Sequence, residues 1–212
     1  AMINHFIIMC TLFIAGSICH AQKNVVERAD WEQYFNQFDA QGTIVVIDCR
    51  NKYQRNWVYN HKRALKQVSP ASTYKIPHTL FALNANIVQD EFQIFKWDGE
   101  QRVNAPHNNN QTLRSAMRHS ALWVYEQFAK DMGEEQAKVY LSNISYGNED
   151  LSTEQGNYWV DGNLAISTYE QIIFLEKLYR NELPFYVEHQ RLVKDLLVVE
   201  AGREWIIRAK TG

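Results

Sequence analysis

Hydrophobic and polar positions change their period several times along this chain. Trp31, Tyr34 and Phe35 recur at helical spacing in a polar context, which predicts a short amphipathic helix. Gly42-Thr43-Ile44-Val45-Val46-Ile47-Asp48 then reads as a β-branched strand opened by glycine, with Asn56-Trp57-Val58-Tyr59-Asn60 as its partner. From about Ser72 to Val199 helical periodicity takes over, with Ile76, Leu80, Leu83 and Ile87 as one stripe and Ile172, Leu175 and Tyr179 as another. Glu204 to Gly212 alternates as a strand again. Strands at both ends of a helical middle predict an α/β fold of the α+β type: one antiparallel sheet flanked by helices, with a mostly helical lobe inserted. The domain is expected to span residues 22–212, with 22–65 and 203–212 as the sheet part and 66–202 as the helical part.

The run from Phe6 to Gly16 is too short to cross a bilayer, and no Asp, Glu, Lys or Arg occurs up to Gln22. It reads as a secretory signal over residues 1–21, cut after Cys19-His20-Ala21. The mature protein is then expected in the periplasm, with no stable membrane anchor. Cys10 and Cys19 leave with the leader, so Cys49 is the single cysteine of the mature chain and an intramolecular disulfide is not expected. With 212 residues, 46% hydrophobic and 22% charged, there is ample material for a core, and disorder, collagen and coiled coil fit poorly. A net charge of −2 without a basic block argues against nucleic acid as a partner. A homodimer stays open.

The seven histidines (His5, His20, His61, His78, His107, His119 and His189) never pair at metal-ligand spacing, so no metal is expected. No glycine-rich phosphate cradle is present either. What stands out is Pro70-Ala71-Ser72-Thr73-Tyr74-Lys75, at the head of the first helical stripe. Ser72 falls at an N-cap or first-turn position and Lys75 one turn later, so both project from one face. A hydroxyl beside an amine is a nucleophile beside a base. Taken alone the pair is unspecific, since Ser-x-x-Lys arises about once by chance in a chain this long. The apolar neighbours Tyr74, Ile76 and Pro77 favour a buried amine, and Pro77 early in a helix is an oddity of the kind functional sites tolerate.

Further along stand Ser120-Ala121-Leu122, Tyr146-Gly147-Asn148, Trp159 and Lys210-Thr211-Gly212, each ordinary by itself. As an ordered set they resemble the class D β-lactamases, or oxacillinases, from about Trp31 to Gly212. Ser72-Thr73-Tyr74-Lys75 resembles that family's nucleophile motif and Ser120-Ala121-Leu122 its second, Ser-x-Val, motif. Tyr146-Gly147-Asn148 is similar to its Tyr-Gly-Asn element, and Lys210-Thr211-Gly212 to the third motif on the sheet's edge strand. Phe95-Lys96-Trp97-Asp98-Gly99 and Trp159-Val160-Asp161-Gly162 are similar to further family signatures. The Ser-x-x-Lys and Lys-Thr-Gly pair is shared with related serine enzymes, whose Ser-Asp-Asn element and separate glutamate base are not evident here.

The resemblance implies a β-lactam substrate, attacked by Ser72. It implies no cofactor other than CO2 or bicarbonate, bound as a carbamate on Lys75 that acts as general base. Trp159 supports the carbamate, with Leu122 beside it in place of the usual valine. Ser120 shuttles a proton toward the leaving nitrogen. Lys210, Thr211 and Gly212 bind substrate, and Tyr146 shapes the pocket. The family continues roughly 50 residues past its third motif, as befits a domain of typical size. The chain is therefore expected to be C-terminally incomplete. It then lacks one oxyanion donor, and the activity of the chain as it stands is expected to be weak or absent. The alternatives are a penicillin-sensing receptor domain that acylates without turnover, a cell-wall peptidase, and a non-catalytic fragment.

Overall fold

A computed structural model describes residues 25–50, 55–154 and 157–212; the expected leader, residues 1–21, lies outside them. The chain divides into two units, one reaching to Gln67 and including Ser167–Ile173, the other holding Val68–Ile166 and Phe174–Gly212.

In the first unit β1 (Val25–Glu27), β2 (Ile44–Asp48) and β3 (Arg55–Tyr59) form a sheet of order β1-β3-β2. The predicted pairing of the β-branched run with the Asn56–Asn60 segment is present and antiparallel, with Val45 opposite Val58. β1 adds in parallel, a pairing that three residues are too few to announce by pattern. Two short helices, α1 (Glu32–Asn36) and α2 (His61–Ala64), accompany the sheet. Trp31 closes a 3₁₀ turn just before α1, and Phe35 of α1 stacks on Tyr59 with ring centroids 4.9 Å apart. Gly42 permits this contact, because any Cβ there would run into the Phe35 ring. Among the described residues of this unit, the fully enclosed hydrophobic side chains are few, Val58, Ala64 and Tyr169, and β2 keeps Val46 exposed.

The second unit is built around α3 (Lys75–Asn84), on which every residue from Lys75 to Leu83 is buried. A helix buried all round is a core helix rather than an amphipathic one. Ile76, Leu80 and Leu83 point into the core as their spacing predicts, while Ile87 lies beyond the helix and packs at the rim. The surrounding layer is α4 (Leu113–His119), α5 (Leu122–Met132), α6 (Glu134–Ile144), α7 (Thr168–Arg180, from Phe174 onward) and α8 (Val187–Leu196). On α7 the predicted stripe is one residue out of phase. Phe174 and Leu178 are the buried pair, whereas Leu175 and Tyr179 face solvent. Both pairs are apolar at i,i+4, so spacing alone cannot choose between them.

The C-terminal segment also differs from expectation. Helix ends at Leu196, and β4 (Val198–Ala201) pairs antiparallel with β5 (Ile206–Arg208). The last strand is therefore three residues long, and its hydrogen bonds go to its sequence neighbour. The single sheet expected from both chain ends is replaced, among the described residues, by one three-stranded and one two-stranded sheet. A short connection makes the local pairing inexpensive in chain entropy. Lys210, Thr211 and Gly212 follow β5 without strand structure, not on an edge strand as the resemblance implies.

Candidate active site

Ser72 sits in a 3₁₀ turn, Ala71–Tyr74, that runs directly into α3. It caps nothing by its side chain, which leaves the hydroxyl available. The turn is held from several sides. Val68 and Ile166 form an antiparallel bridge, and Ser69 Oγ donates to the carbonyls of Trp159 (2.9 Å) and Val160 (3.1 Å). Thr73 Oγ1 donates to the Pro70 carbonyl at 2.6 Å. Ala71 has φ of +46°, in the left-handed region, a local strain that the surrounding bonds must maintain. Pro77 is less odd than its sequence suggests, because it lies in the first turn of α3, where a missing N–H costs least.

Lys75 Nζ lies 2.9 Å from Ser72 Oγ, and the lysine is only 1% exposed. The two side chains thus meet on one face, as their spacing predicts. No carboxylate is hydrogen-bonded to the amine among the described residues, and its ring neighbour is Tyr125, 5.3 Å from Nζ to centroid. Burial, and then the charge of Lys210, lower the Lys75 pKa to about 8, with Glu126 opposing the shift. Desolvation is the leading cause because an apolar surround penalises the ammonium and not the amine.

Ser120 ends α4 in the left-handed conformation (φ +56°), and the Ala121 N–H returns to the Ala116 carbonyl at 2.9 Å. This turn places the Ser120 hydroxyl at the α4–α5 junction, buried and without a hydrogen-bond partner among the described residues. Leu122 opens α5 and packs half-buried against the core. Trp159 is fully buried, stacked on Tyr74 at 5.7 Å, and its indole N–H is also unpartnered among the described residues. A weakly basic buried amine and two orphaned polar groups suit a small anion built on Lys75, since buried polar atoms seldom stay unpaired. The residues present therefore fit a CO2-derived carboxylate on Lys75.

Tyr146 is buried edge-on to Tyr74 (5.8 Å) and Phe174 (5.4 Å). Gly147 has φ of +58°, and a Cβ there would overlap the Ala165 carbonyl oxygen. Asn148 Oδ1 accepts from the Ala165 N–H at 2.9 Å and Nδ2 donates to the Asn163 carbonyl at 2.7 Å. The Tyr-Gly-Asn element is thus a clasp on residues 163–166, and Ile166 of that stretch bridges to Val68 just before the Ser72 turn. A Cβ on Gly212 would sit 2.6 Å from Thr73 Cγ2, so the Lys-Thr-Gly segment packs against the Ser72 turn. Lys210 is half-buried, with its pKa lowered by burial, and Nζ donates to the Thr211 carbonyl at 2.8 Å. Phe95 and Asp98 serve another place: Phe95 packs on Phe128 and Asp98 pairs with Arg102.

Sequence reasoning passes over His78, which is fully buried on α3 with neither ring nitrogen partnered among the described residues. The available signal was its place three residues after Lys75, on the same helix face.

The family described as the penicillin binding protein transpeptidase domain matches residues 37–212. The chain is 58% identical over 207 residues to Beta-lactamase OXA-3 of Pseudomonas aeruginosa, covering 98% of this chain and 75% of that protein. It is 59% identical over the same length to Beta-lactamase OXA-2 of Salmonella typhimurium, again covering 75% of it. Among solved structures it is similar to Class D beta-lactamase BAT-2, with TM-score 0.80, 36% identity, and coverage of 85% of this chain and 75% of that one. No described helix is long and apolar enough to cross a membrane.

Proposed function

Because this chain belongs to the class D β-lactamases, we propose that it opens the β-lactam ring of penicillins by serine catalysis, with Ser72 as nucleophile and Lys75 as its proton acceptor. The observation that carries this reading is the 2.9 Å approach of Lys75 Nζ to Ser72 Oγ inside a pocket that holds the amine's pKa near 8. A lysine kept protonated could only donate there; a depressed pKa makes an unprotonated side chain accessible near neutral pH. CO2, when bound to Lys75, supplies a carboxylate base in place of a plain amine.

Ser72 Oγ gives up its proton toward the Lys75 terminus and bonds to the lactam carbonyl carbon. The ring C–N bond breaks, and Ser120, whose hydroxyl is buried without a partner among the described residues, relays a proton to the leaving nitrogen. Water then hydrolyses the Ser72 ester, its proton also leaving toward Lys75. The Trp159 N–H holds negative charge beside Lys75, and the Ser72 N–H is an oxyanion donor. Lys210 attracts the substrate carboxylate, while Thr211 and Gly212 line the approach to the Ser72 turn. Leu122 controls how water reaches Lys75, and Tyr146 fixes the pocket wall. The same reading places the enzyme in the periplasm after loss of residues 1–21.

Intact-mass spectrometry of the full-length protein mixed with excess penicillin tests it. Transient addition of one penicillin mass, disappearing as substrate is consumed and absent in Ser72→Ala, is expected. An adduct that persists for hours would instead identify a sensor that acylates without turnover, and no adduct at all would indicate a non-catalytic protein.

A further inference from the structure

His78 is a buried residue of α3 whose chemistry the reaction leaves unused. It is 0% exposed, both ring nitrogens lack a hydrogen-bond partner among the described residues, and aromatic rings surround it. Trp159 lies edge-on at 5.3 Å, Tyr74 at 5.1 Å, Tyr125 at 5.7 Å and Phe128 at 6.0 Å between centroids. Burial, and then the charge of Lys75, push the imidazolium pKa down to about 3, so the ring is neutral and offers one N–H and one bare nitrogen.

An aromatic or aliphatic side chain would pack in this cage without orphaned polar atoms. Placing an imidazole there costs the desolvation of both nitrogens, and such local rule-breaking concentrates at functional sites. Two features connect it to Lys75. The residues are three apart on α3 and so share a helix face. The rings that touch His78 are also those around Lys75 and its supports: Tyr125 flanks Nζ, and Trp159 carries the other orphaned N–H.

We propose that His78 is a positioning residue for the carboxylation of Lys75. Its ring supplies, beside the Trp159 N–H, the second buried polar partner that lets an anion form on Lys75 within an otherwise aromatic pocket. The nitrogen of the unprotonated amine bonds to the carbon of CO2 and loses its proton to solvent, leaving one negative charge for these two groups to hold. This inference rests on the carboxylated-lysine reading above, and the test separates the two.

The full-length protein is titrated with ¹³C-bicarbonate, and the carbamate carbon is followed by NMR, a readout independent of turnover. The wild type is expected to saturate. His78→Phe, which keeps a ring of similar size and removes the nitrogens, is expected to need at least about tenfold more bicarbonate for half-saturation. His78→Gln, which restores polar atoms, is expected to return within about threefold of the wild type. An unchanged half-saturation in His78→Phe overturns the positioning role while leaving the carboxylated lysine intact. No carbamate signal in the wild type overturns both. A measurement without substitution guards against a variant that fails to fold: the ring ¹⁵N resonances of wild-type His78 are expected to shift on adding bicarbonate, and constancy through saturation overturns the proposal.

Discussion

The sheet β1-β3-β2 and the neighbourhood of α3 solve the burial problem in opposite ways. Among the described residues, the sheet's unit encloses three hydrophobic side chains, Val58, Ala64 and Tyr169, and leaves Val46 of β2 exposed. Around α3 nine consecutive residues are buried, among them a lysine, a histidine and a threonine. Hydrophobic mass is what makes the second arrangement tolerable. Each fully enclosed Leu or Phe contributes roughly 1.5–3 kcal/mol, enough to carry polar groups whose desolvation is unfavourable. The comparison teaches that the proposed chemistry sits where the core is richest, because there a lysine side chain can be kept out of water.

The sharpest way to break this contrast is to remove the buried amine. Lys75→Ala is expected to reduce kcat/KM for a penicillin by roughly 10²–10⁴-fold. Steady-state hydrolysis checks it, and near-wild-type turnover would remove Lys75 from the mechanism. Packing comes next. Leu80→Ala, at a fully enclosed position of α3, is expected to cost about 2–5 kcal/mol. Val46→Ala on the exposed face of β2 should stay within about 0.5 kcal/mol. Denaturant unfolding of the two variants measures the difference, and equal losses would contradict the account of where stability lies.

Gly147→Ala is expected to cost roughly 1–3 kcal/mol, since φ is +58° and the Ala165 carbonyl occupies the Cβ direction. Because this clasp holds residues 163–166, the variant should also lose turnover. The smallest effect is a gain. Lys75→Met retains bulk without charge and is expected to raise stability at pH 7 by about 1 kcal/mol, as relief of a functional strain commonly does. Its pH dependence follows from the direction of the shift. Between the folded pKa of about 8 and the ordinary lysine value of 10.5, the unfolded chain binds more protons, so wild-type stability rises with pH across that window. Below pH 8 both states are protonated and the penalty is fully present. Lys75→Met should lack the rise, which thermal unfolding at a series of pH values would record.

Much of this was legible in the sequence, and the failures have identifiable causes. The β2–β3 pair was readable because a β-branched run such as Ile44–Ile47, followed after a polar stretch by the aromatic-rich Trp57-Val58-Tyr59, has few other uses. The Ser72–Lys75 pair was readable because three-residue spacing fixes a shared face in either a 3₁₀ or an α turn. The face of α7 was not, since Phe174, Leu175, Leu178 and Tyr179 make two equivalent apolar pairs. The β4–β5 hairpin was hidden because Val198 and Val199 continue the helical pattern of α8, and only the backbone bonds reveal the change. His78 escaped notice because its three-residue spacing from Lys75 carries little weight by itself. Its meaning depends on the rings of Trp159, Tyr125 and Phe128, which are brought to it from distant sequence.

The central claim is that the pocket lowers the Lys75 pKa to about 8, so that an unprotonated fraction of the amine is accessible near neutral pH. It is tested most directly by titrating the full-length protein, labelled with ¹³C at the lysine ε-carbon, in CO2-free buffer and following the Lys75 resonance. The account predicts a single transition centred near pH 8 that disappears in Lys75→Ala. A transition near 10.5, the ordinary value for a lysine in water, would contradict it.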